Sequence, residues 1–241
     1  MIDFHTHILP GIDDGSRNGE MTREMLEEER RQGVTLIAAT PHFYASRMSV
    51  DGFLARRAAA LERTEGLRAE SPEPLPGLVV GAEVLYFPGI GRARDIPRLR
   101  IGDTNTLLLE MPFEQWTDSV LRDVTELIEK QKLNLVLAHV ERYLEYQRQK
   151  QIWERVLALP VTFQLNGEDF LRKDGLLRKD KKKRFCLEFL GKRPDTIIGS
   201  DCHNLSSRRP NLAEARRVIA AALGKGALAS ADGAAKRALE L

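Results

Sequence analysis

Short apolar runs, each followed by an amphipathic charged segment, restrict this 241-residue chain to a parallel α/β arrangement. The runs are Ile2–Phe4, Val34–Thr40, Leu78–Leu85, Thr106–Met111, Leu133–Ala138, Val161–Leu165 and Thr196–Gly199. They are continuous rather than alternating, the pattern of strands covered on both faces. Helical segments fall between them. One is expected from about Gly19 to Gln32, with Asn18 or Ser16 as cap, Glu20 in its first turn and Gly33 as its stop. Others are expected over Asp51–Glu70, Asp118–Lys132, Tyr143–Leu159, Asn211–Leu223 and about Ala231–Glu240, with a basic helix or helix pair over Phe170–Leu190. About seven βα units in a single domain spanning 1–241 fit an α/β barrel. No internal repeat, low-complexity linker or composition break divides the chain.

Bulk properties exclude several classes. A formal net charge of +2 gives no global bias toward nucleic acid or acidic lipid. Two cysteines, Cys186 and Cys202, are too few for a disulfide framework and suit a reducing compartment. No basic stretch followed by an apolar run marks a signal peptide, and no run approaches the ~20 apolar residues that span a bilayer. A cytoplasmic location is expected.

The chemistry is concentrated at the strand ends. All five histidines, His5, His7, His42, His139 and His203, stand at the C-terminal end of an expected strand, as do Glu83, Glu110 and Asp201. In a parallel barrel these ends form one rim, where active sites are built. Residues two apart in a strand share a face, so His5 and His7 can grip one divalent ion. Asp201 and His203 repeat that spacing. Asp13 and Asp14 follow in one loop; adjacent residues point differently, so one is expected to bind metal and the other to cap or to support a ligand. The donor count exceeds the needs of one ion and suits two or three. Mixed imidazole and carboxylate suits Mn, Fe or Zn, and the absence of thiolate argues against a structural zinc. A bridging carboxylate would hold two ions ~3.5–4 Å apart, where they could acidify a shared water and clamp phosphate oxygens. Arg142 and Arg208 stand close in sequence to His139 and His203 and offer guanidinium forks for phosphate.

Six stretches carry a family resemblance: MIDFHTHILPGIDDG, RQGVTLIAATPHF, GAEV, LLLEMPF, VLAHVERY and GSDCHNLSSRRP. In this order they resemble the PHP (polymerase and histidinol phosphatase) superfamily. Within it they look like the bacterial manganese-dependent protein tyrosine phosphatases of capsule and exopolysaccharide operons. The resemblance implies a distorted TIM-like (β/α)7 barrel with two or three metal ions, usually Mn²⁺, at the C-terminal rim. The implied ligands are His5, His7, Asp14, His42, Glu83, Glu110, His139, Asp201 and His203, with Arg142 and Arg208 holding phosphate. The implied substrate is phosphotyrosine on the tail of a cognate tyrosine kinase, hydrolysed through a metal-bound hydroxide. A small-molecule phosphatase such as a histidinol-phosphate phosphatase is the alternative on the same frame, and a PHP-type nuclease a more distant one. The loop Phe43 to Arg47 is expected to bear on substrate choice.

Two further features bear on function. Cys202-HNLSS-Arg208 has the C-x5-R spacing of cysteine-based phosphatases, but its loop lacks glycine and alternation points Cys202 away from Asp201 and His203. The basic run Arg178–Arg184 reads as a solvated helix face, with an acidic partner segment as the functional option.

Overall fold

Strand alternation sorts the core into two compartments. A computed structural model describes residues 1–175 and 180–241. Its strands are β1 (Ile2–Thr6), β2 (Leu36–Ala39), β3 (His42–Phe43), β4 (Gly77–Val80), β5 (Glu83–Leu85), β6 (Thr106–Glu110), β7 (Asn134–Leu137), β8 (Thr162–Asn166) and β9 (Ile197–Gly199). All strand pairs are parallel, in the orders β1-β2-β4 and β3-β5-β6-β7-β8-β9. The ring closes where Asp201 N donates to His5 O at 2.8 Å and His7 N donates to Cys202 O at 2.9 Å. The outcome is a curled parallel sheet with seven strand positions, since β2 continues into β3 and β4 into β5, in keeping with the expected distorted (β/α)7 barrel.

Leu107 and Leu109, Leu135 and Leu137, and Phe163 and Leu165 pack in the larger core with the surrounding helices. The intervening Leu108 and Val136, with Ile197 of β9, join Phe4 and Ala38 in a second cluster, with Ala234, Ala235 and Leu239 packed on them. Two residues beyond Leu108 on the same face is Glu110, so the apolar interior ends in a polar layer at the rim. Gly199 allows a close approach there: a Cβ at this position would lie 2.7 Å from His5 Cβ.

The helices are α1 (Gly19–Arg31), α2 (Val50–Ala69), α3 (Asp118–Glu129), α4 (Lys150–Leu157), α5 (Gly167–Phe170), α6 (Lys181–Lys192), α7 (Leu212–Leu223) and α8 (Lys225–Ala238). Side-chain caps fix several starts: Asn18 accepts from Met21 N at 2.9 Å, and Asp180 accepts from Lys182 N and Lys183 N.

Four expectations are corrected. Beyond the run Val34–Thr40 the chain breaks at Thr40-Pro41 and resumes as β3, and the run Leu78–Leu85 is two strands, interrupted at Gly81-Ala82. Proline has no amide hydrogen for the ladder, which explains the first break. The helix expected over Tyr143–Leu159 is a 3₁₀ turn, Val140–Tyr143, followed by α4. Between them side chains capture the backbone: Gln115 Oε1 accepts from Arg148 N at 2.7 Å and Gln149 N at 2.9 Å. Of the helix expected over Phe170–Leu190, α6 begins only at Lys181, and residues 176–179, with the start of the basic run, lie outside the described residues. The last helix starts at Lys225 rather than near Ala231.

Candidate metal centre

Every residue singled out from the sequence as ligand or phosphate holder lies on one rim. Glu83 is its hub. This fully buried carboxylate faces four imidazoles: Oε2 is 3.2 Å from His5 Nε2, 3.3 Å from His7 Nε2 and 2.9 Å from His42 Nδ1, and Oε1 is 2.8 Å from His139 Nε2. Glu110 approaches His139 Nε2 at 3.5 Å. Asp201 Oδ1 lies 3.5 Å from His5 Nε2 and 3.3 Å from His7 Nε2. Asp14 stands over the outer side, 3.5 Å from both His42 Nε2 and His203 Nε2. His139 and Asp201 both adopt positive φ, 32° and 53°, conformations that L residues enter at a cost of roughly 1–3 kcal/mol and that cluster at functional sites.

Asp13 and Asp14 separate into two roles. Asp13 Oδ2 accepts from His7 Nδ1 at 2.7 Å and from the His42 amide at 2.9 Å, while Oδ1 accepts from the Gly15 amide at 2.9 Å. It is consumed in holding the first strand end to the second. Asp14 is more than half exposed and keeps its carboxylate toward His42 and His203.

The hydrogen-bond partners fix three tautomers. Gln164 Oε1 accepts the His139 backbone amide at 2.8 Å, so the amide group has one orientation. The same oxygen lies 3.1 Å from His5 Nδ1, which must therefore be the N–H of that ring. Asp13 assigns the proton of His7 to Nδ1 in the same way, and the Asp201 carbonyl, 2.9 Å from His203 Nδ1, assigns that of His203. Three Nε2 lone pairs thus point into the rim. His5 Nε2 and His7 Nε2 are only 3.1 Å apart, and His203 Nε2, Glu83 Oε2 and Asp201 Oδ1 are buried without a hydrogen-bond partner. Lone pairs facing one another beside unpartnered carboxylate oxygens suit divalent cations. The residues form overlapping groups, His7-Asp14-His42-His203, His5-His7-Glu83 and His42-Glu83-Glu110, with donor atoms within 4.8 Å of one another.

The carboxylates draw protons onto the imidazoles. Burial opposes charge on His139, but the hydrogen bonds to Glu110 and Glu83 outweigh it and raise its pKa to about 10. Burial likewise opposes charge on Glu83 and Asp201, yet the surrounding imidazoles hold both carboxyls well below the usual range. Arg208 Nη2 donates to Asp201 Oδ2 at 2.7 Å and Arg142 Nη1 lies 3.6 Å from the same oxygen. Both guanidinium side chains are about one-third exposed, at 30% and 36%.

Sequence reasoning missed Gln164 and Asn166. Asn166 Nδ2 donates to Asp201 Oδ2 at 2.8 Å, and Gln164 Nε2 donates to Asn166 Oδ1 at 2.9 Å. Their signal was two amides at strand spacing in an apolar run. Asp3, Glu29 and Cys202 form another buried group behind β1. Burial, then the proximity of Asp3, raises Glu29 well above the carboxylate range, so this pair keeps a proton. Cys202 Sγ points to Glu29 Oε1 at 3.6 Å, and the amides of His203 and Asn204 donate to Arg208 O. The C-x5-R stretch therefore presents neither a thiolate nor a cradle of amides.

The family described as "Capsular polysaccharide synthesis, CpsB/CapC" matches residues 1–231. The tyrosine-protein phosphatase CpsB of Streptococcus agalactiae serotype III (strain NEM316) is 30% identical over 234 residues, 93% of this chain and 92% of that protein. The tyrosine-protein phosphatase YwqE of Bacillus subtilis (strain 168) is 27% identical over 226 residues, 91% of this chain and 84% of that one. A crystal structure described as YwqE from Bacillus subtilis and CpsB from Streptococcus pneumoniae, metal-dependent tyrosine phosphatases, shares the fold with TM-score 0.81. It is 23% identical and covers 100% of this chain and 94% of that chain.

Proposed function

The chain belongs to the CpsB/CapC family of capsular polysaccharide synthesis, and we propose that it is a metal-dependent protein tyrosine phosphatase. Its ions rest on His5, His7, Asp14, His42, Glu83, Glu110, His139, Asp201 and His203. The observation that carries this reading is the pair of buried Nε2 lone pairs of His5 and His7, 3.1 Å apart with both protons committed to the outer nitrogens. Mixed imidazole and carboxylate donors with no thiolate suit Mn²⁺, Fe or Zn, and Mn²⁺ is the ion proposed. Bound there, the ions supply Lewis acidity, lowering the pKa of a water and withdrawing charge from phosphoryl oxygens.

The protein's own groups do the positioning. Arg208 and Arg142 reach over the rim from one side, and their exposed ends can trade Asp201 for a phosphoryl oxygen. Asp201 keeps the Asn166 amide as a partner when they do so. Gln164 and Asp13 hold His5 and His7 in their tautomers throughout. The substrate is phosphotyrosine on the tail of a cognate tyrosine kinase that drives polysaccharide export, met in the cytoplasm. No helix among the described residues is long and apolar enough to cross a membrane.

The test compares a phosphotyrosine peptide, histidinol phosphate and single-stranded DNA, each with Mn²⁺ and with EDTA. Turnover of the peptide alone, abolished by EDTA and lost together with bound metal in His5→Ala/His7→Ala, is the expected result. Preferred turnover of histidinol phosphate or DNA overturns the substrate, and activity indifferent to EDTA overturns the metal.

A further inference from the structure

An aromatic shelf opens beside the rim on the Arg142 side. Phe113 follows Glu110-Met111-Pro112 at the end of β6, and Tyr146 stands in the non-helical stretch before α4. At 36% and 37% exposure they are, with Leu241, the large hydrophobic side chains most open to solvent among the described residues. The Phe113 ring lies 6.0 Å from the His139 imidazole, tilted from it by only 19°, and meets Tyr146 edge-on at 5.9 Å. The Arg142 guanidinium carbon is 5.2 Å from the Phe113 ring centre. Phe113, Arg142, Glu145, Tyr146 and Lys182 line a cavity of about 440 Å³. Phe113 and Arg142 therefore belong both to this cavity and to the edge of the metal rim. On the opposite side of the rim Asp14, His42, Tyr44, Arg47 and Met48 line a cavity of about 520 Å³, but its aromatic ring is already engaged. There Tyr44 is stacked against His42 at 5.1 Å and covered by the Arg47 guanidinium at 4.5 Å.

We propose that Phe113 is the platform on which the aryl ring of the substrate phosphoester lies, and that it makes the site selective for phosphate esters of phenols over those of alkyl alcohols. This rests on the phosphatase reading above. With the phosphoryl group held by Arg142, the ester oxygen faces away from the buried rim, and the shelf is the apolar surface next to that guanidinium. A phenyl ring gains from offset or edge contact with Phe113 and Tyr146; an alkyl chain has no face to present. Lys182, on the first turn of α6, borders the same cavity, so part of the basic run serves this site rather than bulk solvent alone.

The experiment measures kcat/KM of the Mn²⁺-loaded enzyme on a phosphotyrosine peptide and on the matching phosphoserine peptide, with inorganic phosphate as inhibitor. Phe113→Ala and Phe113→Leu are compared with wild type and with Phe113→Tyr; circular dichroism and metal content check that each is folded and loaded. The expected result is a fall of about tenfold in the aryl-to-alkyl ratio for Ala and Leu, carried by KM, with the ratio retained in Tyr. Inhibition by inorganic phosphate should not follow the ratio. Equal losses on both peptides with weaker phosphate inhibition would mean that Phe113 only braces Arg142 and would overturn the proposal. An unchanged ratio overturns it too. Failure of the loaded wild-type enzyme to hydrolyse either peptide would instead remove the phosphatase reading beneath it.

Discussion

Asp13→Asn isolates the support of the metal centre from the centre itself. Asp13 accepts three hydrogen bonds with two oxygens: His7 Nδ1 at 2.7 Å and the His42 amide at 2.9 Å on Oδ2, and the Gly15 amide at 2.9 Å on Oδ1. An asparagine has one acceptor oxygen and one NH₂. Whichever way it turns, an N–H group faces another N–H. Placing the oxygen toward His7 leaves the Gly15 amide without a partner, at a cost of about 1 kcal/mol, and replaces a charge-assisted bond to His7 by one roughly half as strong. The weaker bond at Nδ1 makes the His7 Nε2 lone pair less basic and its tautomer less fixed. Disturbing such a partner of a ligand weakens metal binding about 10- to 100-fold. Titrating Mn²⁺ into metal-stripped protein, followed by calorimetry and by activity, should show the activation curve shifted to higher metal with nearly the same plateau. Asp14→Asn should behave differently, losing bound metal and plateau together, because its carboxylate faces His42 and His203 directly. Unchanged affinity in Asp13→Asn, or a lost plateau at full metal occupancy, would refute the division of labour between the two aspartates.

Other outcomes follow from the same geometry. Arg208→Ala should cost about 10²–10³ in kcat while metal content stays constant, because it removes a preorganised donor to the phosphoryl group; metal analysis beside the kinetics checks both halves. Cys202→Ser should retain activity, and neither thiol of the native protein should react with a disulfide reagent at pH 8, since burial pushes both Cys186 and Cys202 above the usual thiol range. In metal-stripped protein the His139–carboxylate contacts contribute stability that is full below pH 6.5 and is lost as pH rises through about 10. Apparent affinity for the ion, which must displace that proton, should rise over the same window. Thermal unfolding with and without Mn²⁺ between pH 6.5 and 9 reads both trends, and parallel curves would contradict them.

The sequence exposed the barrel and the rim because both depend on short-range rules. Continuous apolar runs report strands covered on both faces, and a polar residue at the end of such a run has few places to go but the rim. His5, His7, Glu83, Glu110, His139 and Asp201 were legible for that reason. What stayed hidden depends on partners distant in sequence. The 144–149 stretch has a helical composition, but Gln115, more than 30 residues away, takes the amides of Arg148 and Gln149. Asp13 and Asp14 are chemically alike, and only the turn through Gly15 determines which one reaches His7; a Cβ at Gly15 would lie 2.1 Å from His7 O. Phe113 reads as one more apolar residue after a strand. Its exposure, and so its availability to a ligand, follows from where β7 and the 3₁₀ turn leave space.

The supports also explain how a rim this dense in charge can exist without collapsing on itself. Gln164 is neutral, yet its single oxygen serves both the His139 amide and the His5 ring, and its NH₂ serves Asn166, which in turn serves Asp201. One chain of amides thus sets the orientation of rim side chains from three strand ends without adding charge. His139 and Asp201 are the two proposed ligands in left-handed backbone conformations, and both are tied to this chain, His139 through its amide and Asp201 through its carboxylate. Hydrogen bonds worth about 1 kcal/mol each are of the size needed to hold such backbones in place. A carboxylate in the position of Gln164 would accept the same protons but would pull more protons onto the imidazoles and compete with the ligands for the ions. An apolar residue there would free the His5 tautomer. The amide is the side chain that orients the site while leaving its charge to be balanced by metal and phosphate.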